Sequence, residues 1–169
     1  MERNSLGRIG LALALALPAL PAAAAAYDLN GVALGGSEKD VKKVFPAAYC
    51  KPLEWKSDAS DRRCDDAKVS FGGVESKVTI YLKKGIVQAF DVRFDTKDVA
   101  KVSAYLKKRY GAPESEAKEV LDAKPGKGVY KALWESGKDR ASLVSQLEKK
   151  RAQLTVWRGN WEEEIYRVR

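Results

Sequence analysis

The chain contains no histidine. That removes the commonest general base and metal ligand, and with it every Ser-His-Asp and Cys-His arrangement. Cysteine is nearly absent too, with only Cys50 and Cys64. Their spacing is not the C-x-x-C of redox pairs, and an even count in an exported chain reads as one structural disulfide. With both sulfurs so used, no thiolate zinc site remains. No Gly-x-x-x-x-Gly-Lys or G-x-G-x-x-G phosphate loop stands between a strand and a helix. Past residue 26 no long uncharged apolar run occurs, so no transmembrane segment is expected there. Neither a metal nor another cofactor is expected.

A secretory pattern opens the chain. Arg3 and Arg8 supply the positive end, and residues 9–20 form an apolar run broken only by Gly10 and Pro18. Ala22 to Ala26 then fit the A-x-A pattern of signal peptidase sites. The apolar run is shorter than the ~20 residues of a membrane span, and no stop-transfer pattern follows. Residues 1–26 are therefore read as a signal peptide and 27–169 as one mature domain, placed in the periplasm or secreted. No cysteine lies near the cleavage site for lipid attachment.

The formal net charge is +8. Arg3, Arg8 and Glu2 together carry one net positive charge, so the mature chain keeps all the rest. A basic domain favours acidic partners: an acidic protein surface, envelope polysaccharide or, by peripheral contact, anionic lipid. Export argues against nucleic acid. Alternatively, lysine-rich faces simply keep a small domain soluble.

Two segments look alike. Lys39-Asp-Val-Lys-Lys-Val44 and Lys97-Asp-Val-Ala-Lys-Val102 share Lys-Asp-Val-x-Lys-Val, each preceded by an N-cap candidate, Ser37 or Asp95. The first predicts a helix with Val41, Val44 and Phe45 on one side, stopped at Pro46. The second carries Val99, Val102, Leu106 and Tyr110 at helical spacing and ends at Gly111, with Pro113 beyond. Strand patterns follow the first at 69–71, 77–83 and 86–94, and the second at 129–135, 141–147 and 152–157. The expectation is an α+β fold of two tandem helix–three-strand units, about 37–94 and 95–158. Their antiparallel sheet would carry the helices on one face. Residues 27–34 suggest an extra strand, 114–123 a short helix, strand or loop, 124–128 a turn, and 161–168 a short terminal helix.

Gly35-Gly36-Ser37-x-x-Asp40-Val41, the Tyr110-Gly111-Ala112-Pro113 helix end and the Trp134 strand resemble small exported modules of two groups. These are the outer-membrane assembly lipoproteins (BamE/SmpA-like) and the β-lactamase-inhibitor proteins. The resemblance is one of element pattern, and the chain departs from the assembly lipoproteins in lacking a lipidated cysteine. It implies helices packed on an antiparallel sheet, with the sheet or its loops binding another protein.

Catalytic patterns are few. Ser115-Glu-Ala-Lys118 has the bare Ser-x-x-Lys spacing of penicillin-recognising enzymes, but its partner motifs are missing and Glu114, Glu116 and Glu119 surround it. Asp58, Asp61, Asp65 and Asp66 cluster near Cys64 without a calcium-loop pattern and with Arg62 and Arg63 among them, which favours local ion pairs. Recognition chemistry is richer. Trp55, Arg62 and Arg63 lie in the Cys50–Cys64 loop, and Trp157, Arg158 and Trp161 follow the last strand. Trp and Arg are enriched at binding hot spots, and a stapled loop presents them at a reduced ordering cost. The alternative is that Trp55 folds back over a small core. Trp134, alternating with Tyr130 and Ala132, reads as core. The expected function is a non-enzymatic protein-binding or assembly module of the bacterial cell envelope, its partner another envelope or secreted protein. The alternatives are an inhibitor or immunity-type protein that blocks an envelope-degrading or secreted enzyme, and a small-ligand-binding domain.

Overall fold

The computed structural model describes residues 26–119, 128–146 and 148–167. The signal-peptide reading of residues 1–25 and the turn expected at 124–127 fall outside them. The chain opens with a hairpin, β1 (Asp28–Leu29) and β2 (Val32–Ala33), where a single strand was expected. Asn30-Gly31 explains the difference. Both residues take positive φ, 51° and 97°, and Asn-Gly is the sequence that a two-residue turn of this kind favours.

Helix α1 (Glu38–Val44) starts at a complete capping box: Ser37 Oγ accepts from Asp40 N, and Asp40 Oδ2 accepts from Ser37 N at 2.9 Å. The second copy of the motif behaves differently. Asp95 caps a 3₁₀ turn over Thr96–Asp98, and only then does α2 (Val99–Tyr110) begin. The shared six residues thus build unlike local structures.

Eight further strands form one antiparallel sheet: β3 (Tyr49–Pro52), β4 (Arg62–Phe71), β5 (Val74–Lys83), β6 (Ile86–Asp95), β7 (Ser115–Glu119), β8 (Val129–Ser136), β9 (Asp139–Gln146) and β10 (Arg151–Arg158). Their order is β3-β4-β5-β6-β10-β9-β8-β7, so two meanders meet along the β6–β10 seam. A four-residue helix, α3 (Trp161–Glu164), follows the last strand.

This corrects the expected fold of two tandem helix–three-strand units. The molecule is mostly β, with one continuous eight-stranded sheet and a two-stranded hairpin. Four strands follow each longer helix, not three. The extra strands are β3 with the first half of β4, and β7, where charged residues hide the apolar alternation. Nor are the halves copies: the hairpin and the disulfide belong to the first, and α3 to the second. Helices α1 and α2 lie on one face of the sheet and α3 on the other.

The main core lies between α1, α2, the β1–β2 hairpin and one face of the sheet. Val41 of α1 and its C-cap Phe45, Val102 and Leu106 of α2, and Leu29, Val32 and Leu34 pack with Ile80, Phe90, Val92, Leu143, Leu154 and Trp134. Full burial of each such aliphatic side chain stabilises by roughly 1.5–3 kcal/mol. Trp134 Nε1 donates to Gly111 O at 2.9 Å, which satisfies a carbonyl at the end of α2. On the opposite face a smaller core gathers Tyr81, Ala89 and Trp157 from the sheet, Trp161 and Ile165 from α3 and its flank, and Ala59 from the loop between β3 and β4. Alternation places these residues there, since successive strand side chains point to opposite faces. No helix of the described residues is long and apolar enough to cross a membrane.

Candidate protein-binding face

On the face that carries the smaller core, the register sets side chains in rows across the strands. One row runs Arg63, Tyr81, Ala89, Trp157, Arg140 over β4, β5, β6, β10 and β9. The next runs Asp65, Thr79, Asp91, Thr155, Ser142, and the third begins Lys77, Arg93, Gln153. The first row is largely apolar, and α3 with the 53–61 loop covers it. The second and third rows are polar from β4 to β10 and reach Leu133 on β8 and Val144 on β9 at their far ends.

Beside that cover lies an open trough of about 570 Å³, lined among others by Asp65, Lys77, Thr79, Asp91, Arg93 and Arg151. Its groups are held in place by one another. Thr79 Oγ1 donates to Asp65 Oδ1 at 2.8 Å, and Arg63 Nε donates to Asp65 Oδ2 at 2.9 Å. Arg93 Nη2 and Gln153 Nε2 both donate to Asp91 Oδ2, at 3.0 and 3.1 Å. Asp91 is only 5% exposed, and its Oδ1 is buried without a hydrogen-bond partner among the described residues. Burial raises the Asp91 carboxyl above its ordinary range, partly offset by Arg93. Beneath the covered end, burial likewise pushes the Tyr81 hydroxyl upward, helped by Tyr166. The trough therefore offers fixed donors and acceptors of both signs on a rigid central part of the sheet, which suits polar recognition. Among the described residues no three acidic or sulfur side chains converge as a metal site would require.

The residues singled out from sequence are placed as follows. Cys50 and Cys64 form the disulfide and face each other in register across β3 and β4. Trp55 is half-buried against the smaller core, with Nε1 donating to Ile165 O at 2.8 Å and its ring stacked on Tyr166. Trp157 and Trp161 are buried, and Trp161 Nε1 donates to Ser60 Oγ at 2.9 Å, so neither ring has surface to offer a partner. Arg158 is clamped on Asp139 by two hydrogen bonds of 2.7 and 3.1 Å. Arg62 lies on the helix-covered face with Nε 3.3 Å from Glu38 Oε2. Of the six, Arg63 alone reaches the rim of the trough, through Asp65.

The acids near Cys64 act locally: Asp65 pairs with Arg63, Asp61 Oδ2 accepts from Lys84 N, and Asp66 Oδ1 accepts from Lys68 N. Ser115 and Lys118, three apart on strand β7, project from opposite faces of the sheet. Sequence reasoning missed Thr79, Asp91, Arg93, Gln153 and Thr155. Part of the signal was present: Thr79, Asp91 and Arg93 are the polar alternates of Ile80, Phe90 and Val92, whose alternation marks the strands at 77–83 and 86–94.

Comparison with known proteins adds no family here, for the chain matches no protein-family model, no curated protein and no solved structure.

Proposed function

We propose that the protein is a non-enzymatic binding module of the bacterial cell envelope, exported to the periplasm, whose contact surface is the open polar face of its sheet. One observation carries this reading. The trough beside α3 is uncovered at the centre of the sheet, and its floor holds a buried carboxylate, Asp91, one oxygen of which has no hydrogen-bond partner among the described residues. That oxygen is itself buried, so what the open trough presents to a partner is the set of charged and polar groups around it, Lys77, Thr79 and Arg93.

The contact is assigned to the sheet rather than to the disulfide loop, because Trp55 is already engaged with Ile165 and Tyr166. The disulfide supports export, since such bonds persist in oxidising compartments.

The test is affinity capture from a native envelope extract with the processed, oxidised protein. Arg93→Glu and Thr79→Arg alter the trough, and Lys43→Glu on α1 serves as control. A defined partner kept by the control and lost by both trough variants is the expected result. A partner retained by the trough variants, or none captured at all, would overturn the reading.

A further inference from the structure

The backbone nitrogen of Tyr27 donates a 3.1 Å hydrogen bond to Asp139 Oδ2. Asp139 is 4% exposed and opens β9, and the same carboxylate takes Nε and Nη2 of Arg158. The Tyr27 ring is buried and stacked on Tyr110, with centroids 4.1 Å apart. Tyr27 is therefore fixed from both sides, ring and nitrogen, and its nitrogen belongs to the bond that follows Ala24-x-Ala26. We propose that the chain is cut between Ala26 and Tyr27, and that the new α-ammonium of Tyr27 forms a buried ion pair with Asp139. The inference rests on the export reading above and goes beyond it.

Cutting adds water across the amide: the carbonyl carbon of Ala26 gains the hydroxyl and leaves as a carboxylate, and the nitrogen of Tyr27 becomes an amine that is protonated at neutral pH. Before the cut this nitrogen carries one neutral N–H. Afterwards it carries three and a full positive charge at the same place. Charge-assisted hydrogen bonds are roughly twice as strong as neutral ones.

Asp139 lies against the nitrogen itself. The Tyr27 hydroxyl is pushed upward, first by burial and then by Asp139, Glu135 and Glu114, which puts three carboxylates near Tyr27. Against them stand Arg158, already on Asp139, and Arg140, held by Glu135 at 3.2 Å. On the α2 side, Arg109 is paired with Asp28. Export and folding are thereby coupled, because only the processed chain brings this charge to Asp139.

The first experiment is mass spectrometry of the protein recovered from the periplasm, with Tyr27 expected as its first residue. The second is an NMR titration of the ¹⁵N-labelled α-amino group in that protein. Its pKa is expected about one unit or more above the ordinary ~7.7–8.0, a tenfold preference for the charged form. Asp139→Asn should return it to the ordinary range. If that variant does not fold, a chain that retains Ala26 serves instead, its displaced amine titrating normally. An amine whose pKa is raised on folding stabilises fully below its unfolded value and loses that contribution as pH rises through the folded value. The processed form should therefore exceed the Ala26-extended form in melting temperature at pH 6–7 and match it at high pH. Cleavage at another bond would overturn this inference and leave the export reading standing, whereas recovery of an uncut chain would overturn both. A Tyr27 start with an ordinary amine pKa would overturn the ion pair.

Discussion

Reducing the disulfide should lower stability without abolishing the fold, and its size follows from the loop it closes. Cys50 and Cys64 are separated by 14 positions, and a loop of ~15 residues corresponds to about 3 kcal/mol in the chain-entropy model. At roughly 3 °C per kcal/mol for a domain of this size, the melting temperature should fall by about 10 °C. The native fold survives because β3 remains paired with β4 over four positions, while Trp55 and Ser60 tie the loop to the segment at 161–165. Urea unfolding of the oxidised protein, the reduced protein and Cys50→Ala/Cys64→Ala separates the contributions, since reduction keeps both sulfurs and isolates the cross-link. The slope m should rise on reduction as the unfolded chain expands. A midpoint unchanged on reduction, or a shift with no change in m, would refute an effect that acts through the unfolded state.

Three further outcomes are expected. Asp91→Asn should raise stability at pH 7, because a carboxyl whose pKa is raised on folding destabilises the fold above that pKa; the advantage over wild type should shrink as pH falls through it, as thermal melts across pH 3–7 would show. Trp161→Ala removes a buried indole and leaves Ser60 Oγ without its donor, a loss of roughly 3–5 kcal/mol at most; hydrogen exchange should show protection lost at 53–61 and 161–167 first, with β5, β6 and β10 retained. Gly35→Ala should cost about 1–3 kcal/mol in urea unfolding, because φ is +85° and the added Cβ would lie 2.5 Å from Arg158 Nη1, displacing it from Asp139.

Much of the strand content was legible because it alternates cleanly. Val78, Ile80 and Leu82, and Phe90, Val92 and Phe94, mark β5 and β6 without help from tertiary structure. The β3–β4 pairing was not legible, since Arg62, Arg63, Asp65 and Asp66 read as a solvated loop. In the fold, Arg63 and Asp65 face the open side while Cys64 points into the core, and a bulge between Asp66 and Val69 breaks the period. Strand β7 was hidden for a related reason: an edge strand with Glu116 and Lys118 has no apolar face to show, and charge on an edge discourages pairing with other chains. The repeated Lys-Asp-Val-x-Lys-Val motif misled most. It marks two helix starts, but Ser37 builds a capping box where Asp95 builds a 3₁₀ turn, so six matching residues did not imply matching units.

The candidate site was harder to read because Trp and Arg serve cores and interfaces alike. Eight strands ~4.8 Å apart span roughly 34 Å, whereas a four-residue helix is only about 6 Å long. Helices α1 and α2 with the hairpin pack on one face, which leaves α3 and the 53–61 loop to shield the aromatic row on the other. Trp157, Trp161 and Trp55 are drawn into that shield, and the rest of the face must be polar. Openness alone therefore follows from the chain's composition and says little about binding. Asp91 is different. Thr79 and Thr155, its neighbours in the same row, fit a solvated sheet without cost, whereas a nearly buried carboxylate with an unused oxygen does not. Its other oxygen holds Arg93 and Gln153 in place, and a face that fixes charged groups at its centre at a cost in stability is suited to recognising a partner rather than to solubility alone.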